Sequence, residues 1–345
     1  MARPTIADLA EAAGVSVSTV DRVLNGRNPV RRKTAERVME AAEEIGFYAA
    51  NVIRHRLNAK QSSCKLGFLL LQGERSFYRN LAENLQQVAD EQPDIAVKVE
   101  TVFMEELTPA AVAREIVSLG ERVDALGVVA AEHPLISQAI EEVQALGVPC
   151  FALVSSLTAG SGVSYIGLDN WKVGRTAGWA FANLCREPGK IATLIGSHRY
   201  RCQEMNEVGF RSYFREHTEG FQLLEPLSTV ESRYLAAELV YELLEREPDL
   251  RGLYVTGGGI TGVVAALQEL GRAKDIVVVG YELMDSTRAA LLDGTLNLII
   301  SHPMRKLAES TIHNMLAAVA AQKRHDSVPV ASVRLPFDIY TPENL

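Results

Sequence analysis

Residues 5–26, TIADLAEAAGVSVSTVDRVLNG, constrain the fold of this chain more than any other stretch. Thr5 precedes Asp8 by three residues, which is the spacing of a capping box at a helix start. Apolar residues recur at helical spacing on both sides of Gly14, which supplies the backbone freedom for a tight turn between crossed helices. Ser16 stands where it caps a second helix. The sequence therefore predicts two short helices joined by a turn at Gly14.

The exposed face of the second predicted helix carries hydroxyl groups and a guanidinium, on Ser18, Thr19 and Arg22. Such side chains fit the major groove of DNA, where bases are read through hydrogen bonds to their edges. An ordinary helical hairpin has the same spacing. The spacing by itself therefore leaves a DNA-binding unit and a plain hairpin both open.

The amino-acid sequence of residues 5–26, together with that of a third predicted helix over residues 34–47, closely resembles the N-terminal DNA-binding segment of the lac repressor (LacI) family of bacterial regulators. The resemblance implies that Val17, Ser18 and Arg22 read bases, with Arg22 able to fork onto a guanine. It also implies that the residues that contact phosphate groups are Thr5, Ser16, Thr19 and Asn25. Thr5 and Ser16 are equally helix caps, and the two roles are compatible because a capped helix N-terminus faces an anion.

Two residues depart from the family pattern. Asp21 stands where the family usually has Ser. Because a carboxylate is unfavourable beside phosphate, Asp21 either bonds Arg22 or another basic side chain locally or accepts from a cytosine amine, and we favour the local role. Arg31 stands where a Ser usually caps the third helix, so that cap is expected to be weak or shifted.

Residues 49–62 are predicted to be a hinge, since they are basic and poor in large apolar residues. The resemblance implies a short helix here whose Leu wedges into the minor groove between paired subunits. With one inserted residue, Asn51 and Leu57 match the family's Asn and wedge Leu, whereas without it Arg56 falls at the wedge. We expect Asn51, Arg54 and Leu57 to contact DNA.

The net charge of −8 is unevenly distributed. Residues 1–61 hold ten Lys and Arg against seven Asp and Glu, whereas the remaining residues hold 25 against 36. A basic head on an acidic body indicates that only the head meets phosphate. No apolar run approaches the ~18 residues of a membrane span, no signal peptide is recognised, and the four cysteines lack metal-ligand spacing, so we expect a cytoplasmic protein without a bound metal.

From residue 65 onward, buried apolar strands alternate with amphipathic helices, nine strands in all. This pattern predicts an α/β body with parallel, doubly wound sheets covered on both faces. It resembles the periplasmic-binding-protein-like sensor of the same family, which implies two lobes and a cleft. The predicted regions are a helix-turn-helix domain at 1–48, a hinge at 49–62 and a two-lobed domain at 63–345, with lobe 1 at about 63–160 and 302–328 and lobe 2 at about 161–300 and 330–345. The chain is expected to cross between lobes near residues 155–165, 301–303 and 327–331.

Ligands of open α/β sheets bind at the carboxyl ends of the strands. The expected effector-binding residues, taken from these loops and from the resemblance, are Phe77, Tyr78, Asp169, Arg199, Arg201, Asn206 and Glu282. Arg199 or Arg201 is suited to clamp an anion, and Glu282 to accept sugar hydroxyls. For Phe77 and Tyr78 the alternative is core packing, and for Asp169 it is helix capping. Asn206 stands where the family commonly has an Arg that contacts the sugar.

We find no ordered catalytic triad and no dinucleotide fingerprint at Gly257–Gly259, and expect neither an enzyme nor a cofactor. The favoured interpretation is a homodimeric transcriptional regulator, a repressor, that binds near-palindromic operator DNA under control of a small-molecule effector, a sugar or polyol. One alternative is a carbohydrate-converting enzyme with a DNA-binding head, which would turn over a ligand. Another is a sensor whose head no longer binds DNA specifically, in which Arg22→Ala leaves DNA affinity unchanged.

Overall fold

The structure is a computed structural model that describes residues 4–25, 30–59, 62–93, 95–217, 219–326, 330 and 332–345. The chain forms two compact units, one of residues 1–63 with 92–96 and the other of residues 64–91 with 97–345. Each unit has its own hydrophobic core. Within the described residues, every helix is too short or too polar to cross a membrane.

The first unit is helical. Its helices are α1 (Ile6–Ala12), α2 (Val17–Asn25), α3 (Arg32–Glu44) and α4 (Ala50–Ala59). Leu9, Val20 and Val38, one from each of the first three helices, are fully buried in a common cluster. Ile53 of α4 is also fully buried in this cluster. The predicted hinge is therefore helical, and its first turn is part of the packed helical unit, because Ile53 lies on the face that α4 turns toward α3.

The second unit contains two sheets, and we call each sheet with its helices a lobe. The sheet of lobe 1 has the order β12-β5-β4-β3-β1-β2, with β1 (Ser62–Leu71), β2 (Ile95–Met104), β3 (Ala125–Val128), β4 (Cys150–Leu153), β5 (Ser164–Leu168) and β12 (Ser332–Leu335). Its helices are α5 (Ser76–Asp90), α6 (Pro109–Gly120), α7 (Pro134–Ala145) and α13 (Met304–Lys323).

The sheet of lobe 2 has the order β13-β11-β10-β9-β6-β7, with β8 also paired to β6. Its strands are β6 (Lys190–Ile195), β7 (Gln222–Leu223), β8 (Leu227–Ser228), β9 (Leu250–Val255), β10 (Val277–Tyr281), β11 (Leu298–Ser301) and β13 (Asp338–Tyr340). Its helices are α8 (Asn170–Leu184), α9 (Arg201–His217), α10 (Arg233–Arg246), α11 (Ile260–Glu269) and α12 (Asp285–Leu292).

Helices cover both faces of the lobe 2 sheet. Leu253 and Val255 of β9 pack in a cluster with α10, α11 and α12, whereas Tyr254 between them packs in a cluster with α8 and α9. This alternation is the two-residue period of a strand, so the two clusters lie on opposite faces. The register is parallel throughout the centre of both sheets, as in Phe151↔Ser164 and Val277↔Gly252. The predicted fold class, a helical head followed by a doubly wound α/β body, is confirmed.

All nine predicted strands are present, while β7, β8, β12, β13, α12 and α13 were not predicted. The lobe boundaries also differ from those expected. β5 and β12 pair with each other in the first sheet, so residues 161–168 and 332–335 belong to lobe 1 and not to lobe 2. The crossing expected at 155–165 is wrong, because these residues connect β4 to β5 within the lobe 1 sheet and Leu157 among them is buried in the lobe 1 core.

The chain passes between the lobes at three places. These lie after β5, between β11 and α13, and between β12 and β13. The crossing expected at 301–303 coincides with the second of them. The crossing expected at 327–331 is wrong, because α13 before these residues and β12 after them both belong to lobe 1, and the third crossing lies between β12 and β13.

Candidate functional sites

The turn between α1 and α2 is held by an arginine from α3. The Arg37 guanidinium donates to the Ala13 carbonyl at 2.6 Å and to the Gly14 carbonyl at 3.3 Å. Gly14 has a φ of +62°, a left-handed conformation that glycine adopts without strain. The helix-turn-helix predicted from the sequence is therefore fixed by a charge-assisted contact that the sequence pattern did not indicate.

We expect Arg37→Ala to destabilise the helical unit by about 1.5–3 kcal/mol, because hydrogen bonds to a charged group are lost and two turn carbonyls lose their donor. Thermal unfolding of the full chain, followed by helical circular dichroism, measures this. Lys33→Ala, an exposed site on the same helix, is the control. Equal melting curves for the two variants would show that the turn does not depend on Arg37.

The residues expected to read bases lie on the exposed face of α2. Val17 is 52% exposed, and Ser18 and Arg22 are exposed as well. Among the described residues, no carboxylate pairs with Arg22. Its guanidinium is therefore available for a base edge.

The residues expected to contact phosphate are tied into caps. Thr5 forms a capping box with Asp8, as predicted, accepting from the Asp8 amide at 3.3 Å. The Ser16 hydroxyl lies 2.9 Å from that of Ser18 and 2.8 Å from that of Thr19, and it accepts from the Thr19 amide at 3.3 Å. These hydroxyls cluster at the N-terminus of α2, where backbone N–H groups and the helix dipole favour an anion.

Asp21 has a local partner, but the partner is not a basic side chain. The Asn25 amide donates to the Asp21 carboxylate at 2.6 Å, four residues along α2. Asn25 is thus held by Asp21 in this structure, and a contact from Asn25 to phosphate would compete with that bond. Helix α3 begins without a side-chain cap at Arg31, which agrees with the departure seen in the sequence.

In the hinge helix, Arg54 forms an ion pair with Glu43 of α3. Asn51 is exposed in the first turn of α4. The backbone of Leu57 lies within α4, whereas its side chain lies outside the described part of the chain. The role of Leu57 as a minor-groove wedge therefore stays a prediction.

A cavity of about 600 Å³ lies between the two lobes, at the ends of β1 and β10 and in neighbouring loops. Backbone strain is concentrated around it. Five residues other than glycine that line the cavity have positive φ, namely Gln72 (21°), Val154 (65°), Val230 (49°), Glu231 (60°) and Glu282 (71°). Elsewhere in the described residues only His325 shares this property. Strained backbone of this kind clusters at functional sites, so we take the cavity, called the cleft below, as the candidate ligand site.

Glu282 lies in the cleft directly after β10 and is 7% exposed. One carboxylate oxygen accepts from the Ser301 hydroxyl at 3.0 Å and from the His302 amide at 3.3 Å, and the other pairs with Nδ1 of His302. The His302 ring packs at a tilt against Phe77 and edge to face against Tyr281, with centroid distances of 5.7 and 5.8 Å. The carboxylate is therefore held in place by the crossing that follows β11.

Two residues of the cleft lining carry a buried polar atom without a hydrogen-bond partner among the described residues, the Tyr281 hydroxyl and Oε1 of Gln72. Nε2 of His302, beside Glu282, and the Tyr254 hydroxyl in the lobe 2 core share this property. Burial, and secondarily the Glu282 carboxylate, raises the pKa of Tyr281 well above its ordinary value, so the hydroxyl keeps its proton. Because buried polar groups are rarely left unsatisfied, we take Tyr281 and Gln72 as the lining residues that a ligand is expected to bond.

An ion pair spans the cleft from lobe to lobe. Arg75, at the start of α5, pairs with the Glu231 carboxylate and donates to the Glu231 carbonyl at 2.5 Å. The Gln203 amide donates to the same carboxylate at 2.7 Å, while its own oxygen accepts from the Gly196 amide at 2.7 Å. Burial opposes the charge of Arg75, but the Glu231 carboxylate outweighs it and holds the pKa of Arg75 above its usual value.

Phe77 and Tyr78 line the cleft, where their rings meet edge to face at 5.0 Å. Both are about nine-tenths buried, and burial raises the pKa of Tyr78 well above its ordinary value. They therefore combine the two alternatives left open by the sequence, since each packs in the protein and also presents surface to the cavity.

Four residues expected in the cleft lie elsewhere. Asp169 caps α8, accepting from the Lys172 amide at 3.4 Å, and so takes the alternative role. Arg199 and Arg201 are exposed and are not part of the cleft lining, whereas Tyr200 between them is buried and lines the cleft. Asn206 is fully buried at the contact of α9 with α8, and with its side-chain amide oriented so that the nitrogen faces acceptors, this nitrogen donates to the Asn170 carbonyl at 3.0 Å.

The position of Asn206 follows from close helix packing. A side chain on Gly174 would collide with the backbone carbonyl of Asn206, so α8 and α9 touch backbone to backbone. The Asn206 side chain therefore lies in the contact between the two helices and is not part of the cleft lining. Sequence reasoning missed Arg75, Gln203 and Glu231. The sequence feature that could have indicated Arg75 is the polar loop before Phe77, which contains both Gln72 and Arg75.

Comparisons with known proteins cover both units. Residues 5–50 match the family described as bacterial regulatory proteins, lacI family, and residues 66–323 match the periplasmic binding protein domain. The HTH-type transcriptional regulator GntR of Pseudomonas aeruginosa is 24% identical over 334 residues, covering 94% of this chain and 92% of the relative. The sucrose operon repressor of Pediococcus pentosaceus is 23% identical over 292 residues, covering 81% of this chain and 82% of the relative. The solved structure of GanP, a glucose-galactose binding protein from Geobacillus stearothermophilus, matches with a TM-score of 0.72 and 20% identity, covering 81% of this chain and 99% of that protein.

Proposed function

The chain belongs to the LacI family of bacterial transcriptional regulators, and from that premise we propose that it is a repressor whose operator affinity is set by a small molecule bound in the cleft. The observation that carries this proposal is the pairing, in one chain, of an intact helix-turn-helix with a cleft that holds unpartnered polar groups. The relatives that align along most of its length are transcriptional regulators and not enzymes.

We propose that the protein acts in the cytoplasm as a homodimer on a near-palindromic operator. One helix-turn-helix presents only one recognition helix, which covers one half-site, so two copies are needed to read both halves. The exposed face of α2, with Val17, Ser18 and Arg22, supports base reading in the major groove. The hydroxyl cluster of Ser16 and Thr19 supports phosphate contacts that set the register.

We propose a sugar or polyol as the effector. Glu282 offers a fixed carboxylate, and Tyr281 offers a hydroxyl beside it, a set that suits neighbouring hydroxyl groups. Phe77 and Tyr78 supply aromatic surface for the apolar face of a sugar ring. The printed names of a sucrose operon repressor and of a glucose-galactose binding protein among the similar proteins agree with this class.

We propose that the effector acts by changing the arrangement of the lobes. The chain passes between the lobes at three places, so closure on a ligand bends three backbone segments together. A ligand that contacts both lobes favours the arrangement in which both sets of contacts form. Transmitted through the hinge, such a shift is expected to change operator affinity by about 1–3 kcal/mol, a typical allosteric coupling.

Glu282→Gln tests the cleft. We expect it to weaken sugar binding by about 10–100-fold, because charge-assisted hydrogen bonds worth about 1.5–3 kcal/mol are replaced by neutral ones. A thermal-shift screen of sugars and polyols with the wild-type chain identifies the ligand, since a bound ligand raises the melting temperature by mass action. Calorimetric titration of that ligand into the wild-type chain and into the variant then gives the ratio of the two dissociation constants.

The control is Asp169→Asn, because Asp169 is an acidic residue that lies outside the cleft lining. It is expected to leave ligand affinity unchanged. A chain that binds DNA specifically but gains no thermal stability from any sugar or polyol would contradict the proposed effector while leaving the DNA-binding role intact.

A further inference from the structure

Two glycines of lobe 2 leave room for the carboxylate of Glu231. A Cβ atom on Gly258, in the glycine run at 257–259, would lie 2.1 Å from Oε2 of Glu231. A Cβ atom on Gly196, directly after β6, would lie 1.7 Å from Oε1 of the same carboxylate. Neither glycine has the positive φ that makes glycine necessary for the backbone. At both positions a side chain would therefore displace this carboxylate, and glycine leaves it in place.

The loop that carries Glu231 is bonded to the same two glycines. The Thr229 hydroxyl donates to the Gly258 carbonyl at 2.7 Å. The Ser228 hydroxyl donates to the Gly196 carbonyl at 3.1 Å. Glu231 has a φ of 60°, a conformation that costs energy for a residue other than glycine and persists only where the surroundings fix it. These bonds therefore fix Glu231 over the space that the glycines leave.

Glu231 contacts lobe 1 through Arg75. The Arg75 guanidinium pairs with the Glu231 carboxylate and donates to the Glu231 carbonyl at 2.5 Å, and the two side chains are only 22% and 10% exposed. A neutral hydrogen bond also joins the lobes, from the Glu132 amide to the Arg199 carbonyl at 2.7 Å. Because hydrogen bonds between charged groups are stronger than neutral ones, the ion pair is the stronger of these two links.

We propose that Arg75 and Glu231, with the glycines that seat the carboxylate, form a latch that holds the lobes together independently of any ligand. Both members of the latch belong to the protein, so its contacts form whenever the lobes meet across the cleft, an arrangement called closed below. Parting the lobes replaces these contacts with bonds to water. The latch therefore shifts the balance toward the closed arrangement without locking it.

The latch has a consequence for regulation, and this consequence rests on the proposed function. A ligand that contacts both lobes favours the same closed arrangement as the latch does. The larger the closed fraction is before binding, the smaller is the change that a ligand adds. The Arg75–Glu231 pair thus sets the operator affinity that the chain has before an effector binds, and it limits the range over which the effector acts.

Two cysteines provide a measure of lobe opening. Cys202 lines the cleft, and its amide donates to the Ser155 hydroxyl of lobe 1 at 3.4 Å. Cys150 of β4 lies in the core of lobe 1. Burial raises the pKa of both thiols to about 12, so both are unreactive in the closed arrangement. Parting of the lobes is expected to expose Cys202 but not Cys150, whereas unfolding exposes both.

The test follows the labelling of both thiols by iodoacetamide in the full chain, resolved by peptide mass spectrometry. Glu231→Gln keeps the shape of the side chain but leaves Arg75 without a carboxylate in the closed arrangement. We expect the labelling rate of Cys202 to rise about 10–100-fold, because charge-assisted hydrogen bonds become neutral ones, and that of Cys150 to stay unchanged. Glu238→Gln, an exposed site of lobe 2 outside the cleft lining, is the control. Equal Cys202 rates in the wild-type chain and Glu231→Gln overturn the inference.

Two further variants separate a latch from general stabilisation. Arg75→Gln removes the other charge, from lobe 1, and is expected to raise the Cys202 rate by a similar factor. Gly258→Ala keeps both charges but places a methyl group against the Glu231 carboxylate, so it should act in the same direction. If these variants accelerate Cys150 as much as Cys202, the pair stabilises the fold as a whole and the latch is contradicted.

Operator binding without added sugar separates this inference from the proposed function. The probe is the DNA that the wild-type chain selects from a random pool. Glu231→Gln is expected to change affinity for it by about fivefold or more, in the direction opposite to the effect of a ligand that closes the cleft. Faster Cys202 labelling with unchanged DNA affinity would support the latch and contradict the proposed coupling of cleft to operator. Unchanged labelling would contradict the latch and leave the proposed function standing.

Discussion

Phe210→Ala is expected to lower the free energy of unfolding by about 3–5 kcal/mol, the usual cost of truncating a buried phenylalanine. Phe210 is 1% exposed, and its ring centroid lies 4.9 Å from Tyr254, 5.1 Å from Phe214 and 5.6 Å from Phe181. These rings hold α8 and α9 against the sheet of lobe 2. The cavity left by the truncation cannot close, because α8 and α9 already touch at their backbones.

Urea unfolding followed by circular dichroism measures this loss. Val208→Ala, two residues earlier on the same helix and 40% exposed, is the control and should change stability by much less. Because Gln203 of α9 supports Glu231, we also expect the Phe210 variant to lose effector affinity. A variant within about 1 kcal/mol of wild type would show that the aromatic cluster relaxes around the gap.

Arg22→Ala is expected to weaken binding to the preferred operator by about 10–100-fold, since a bidentate arginine–guanine contact provides about 1–3 kcal/mol of discrimination. The loss should appear as a relaxed preference at one base pair in each half-site. Selection of bound sequences from a random DNA pool, with wild type and variant in parallel, measures this preference and defines the operator at the same time.

Lys33→Ala is the matched control, because it removes one positive charge from an exposed site of the neighbouring helix. It should lower affinity for all sequences about equally, as loss of a general electrostatic contribution does. If Arg22→Ala also lowered affinity equally for all sequences, Arg22 would contact the DNA backbone and not a base. No change at all would favour a head that has lost specific binding.

The fold was largely predictable because its signals are local. The capping box of Thr5 and Asp8 and the nine predicted apolar strands each follow from a few neighbouring residues. The strands that escaped prediction, among them β12, are short and lie at or near sheet edges, where none of their residues is fully buried. Such strands are defined by their partners, and the partner of β12 is β5, more than 160 residues earlier.

The cleft was less predictable because some of its residues are far apart in the sequence. Phe77, Tyr78 and Glu282 were found because each follows a strong strand signal, and they line the cavity. Arg75 and Glu231 can be recognised as site residues only from their contact with each other, and 156 residues separate them in the sequence. Arg199 and Arg201 illustrate the opposite error, in which a polar loop was taken for a ligand site although its arginines face solvent.

The positions of β12 and β13 bear on the order in which this protein is made. β12 completes one edge of the lobe 1 sheet and β13 completes one edge of the lobe 2 sheet, and both lie within residues 332–340. During translation, the edge of β5 stays unpaired until residues 332–335 have been made, and the edge of β11 stays unpaired until residues 338–340 have been made. Open edges invite pairing with other chains. A nascent chain that lacks residues 332–340 is thus exposed to misassembly at both sheets, because neither sheet is complete without this segment.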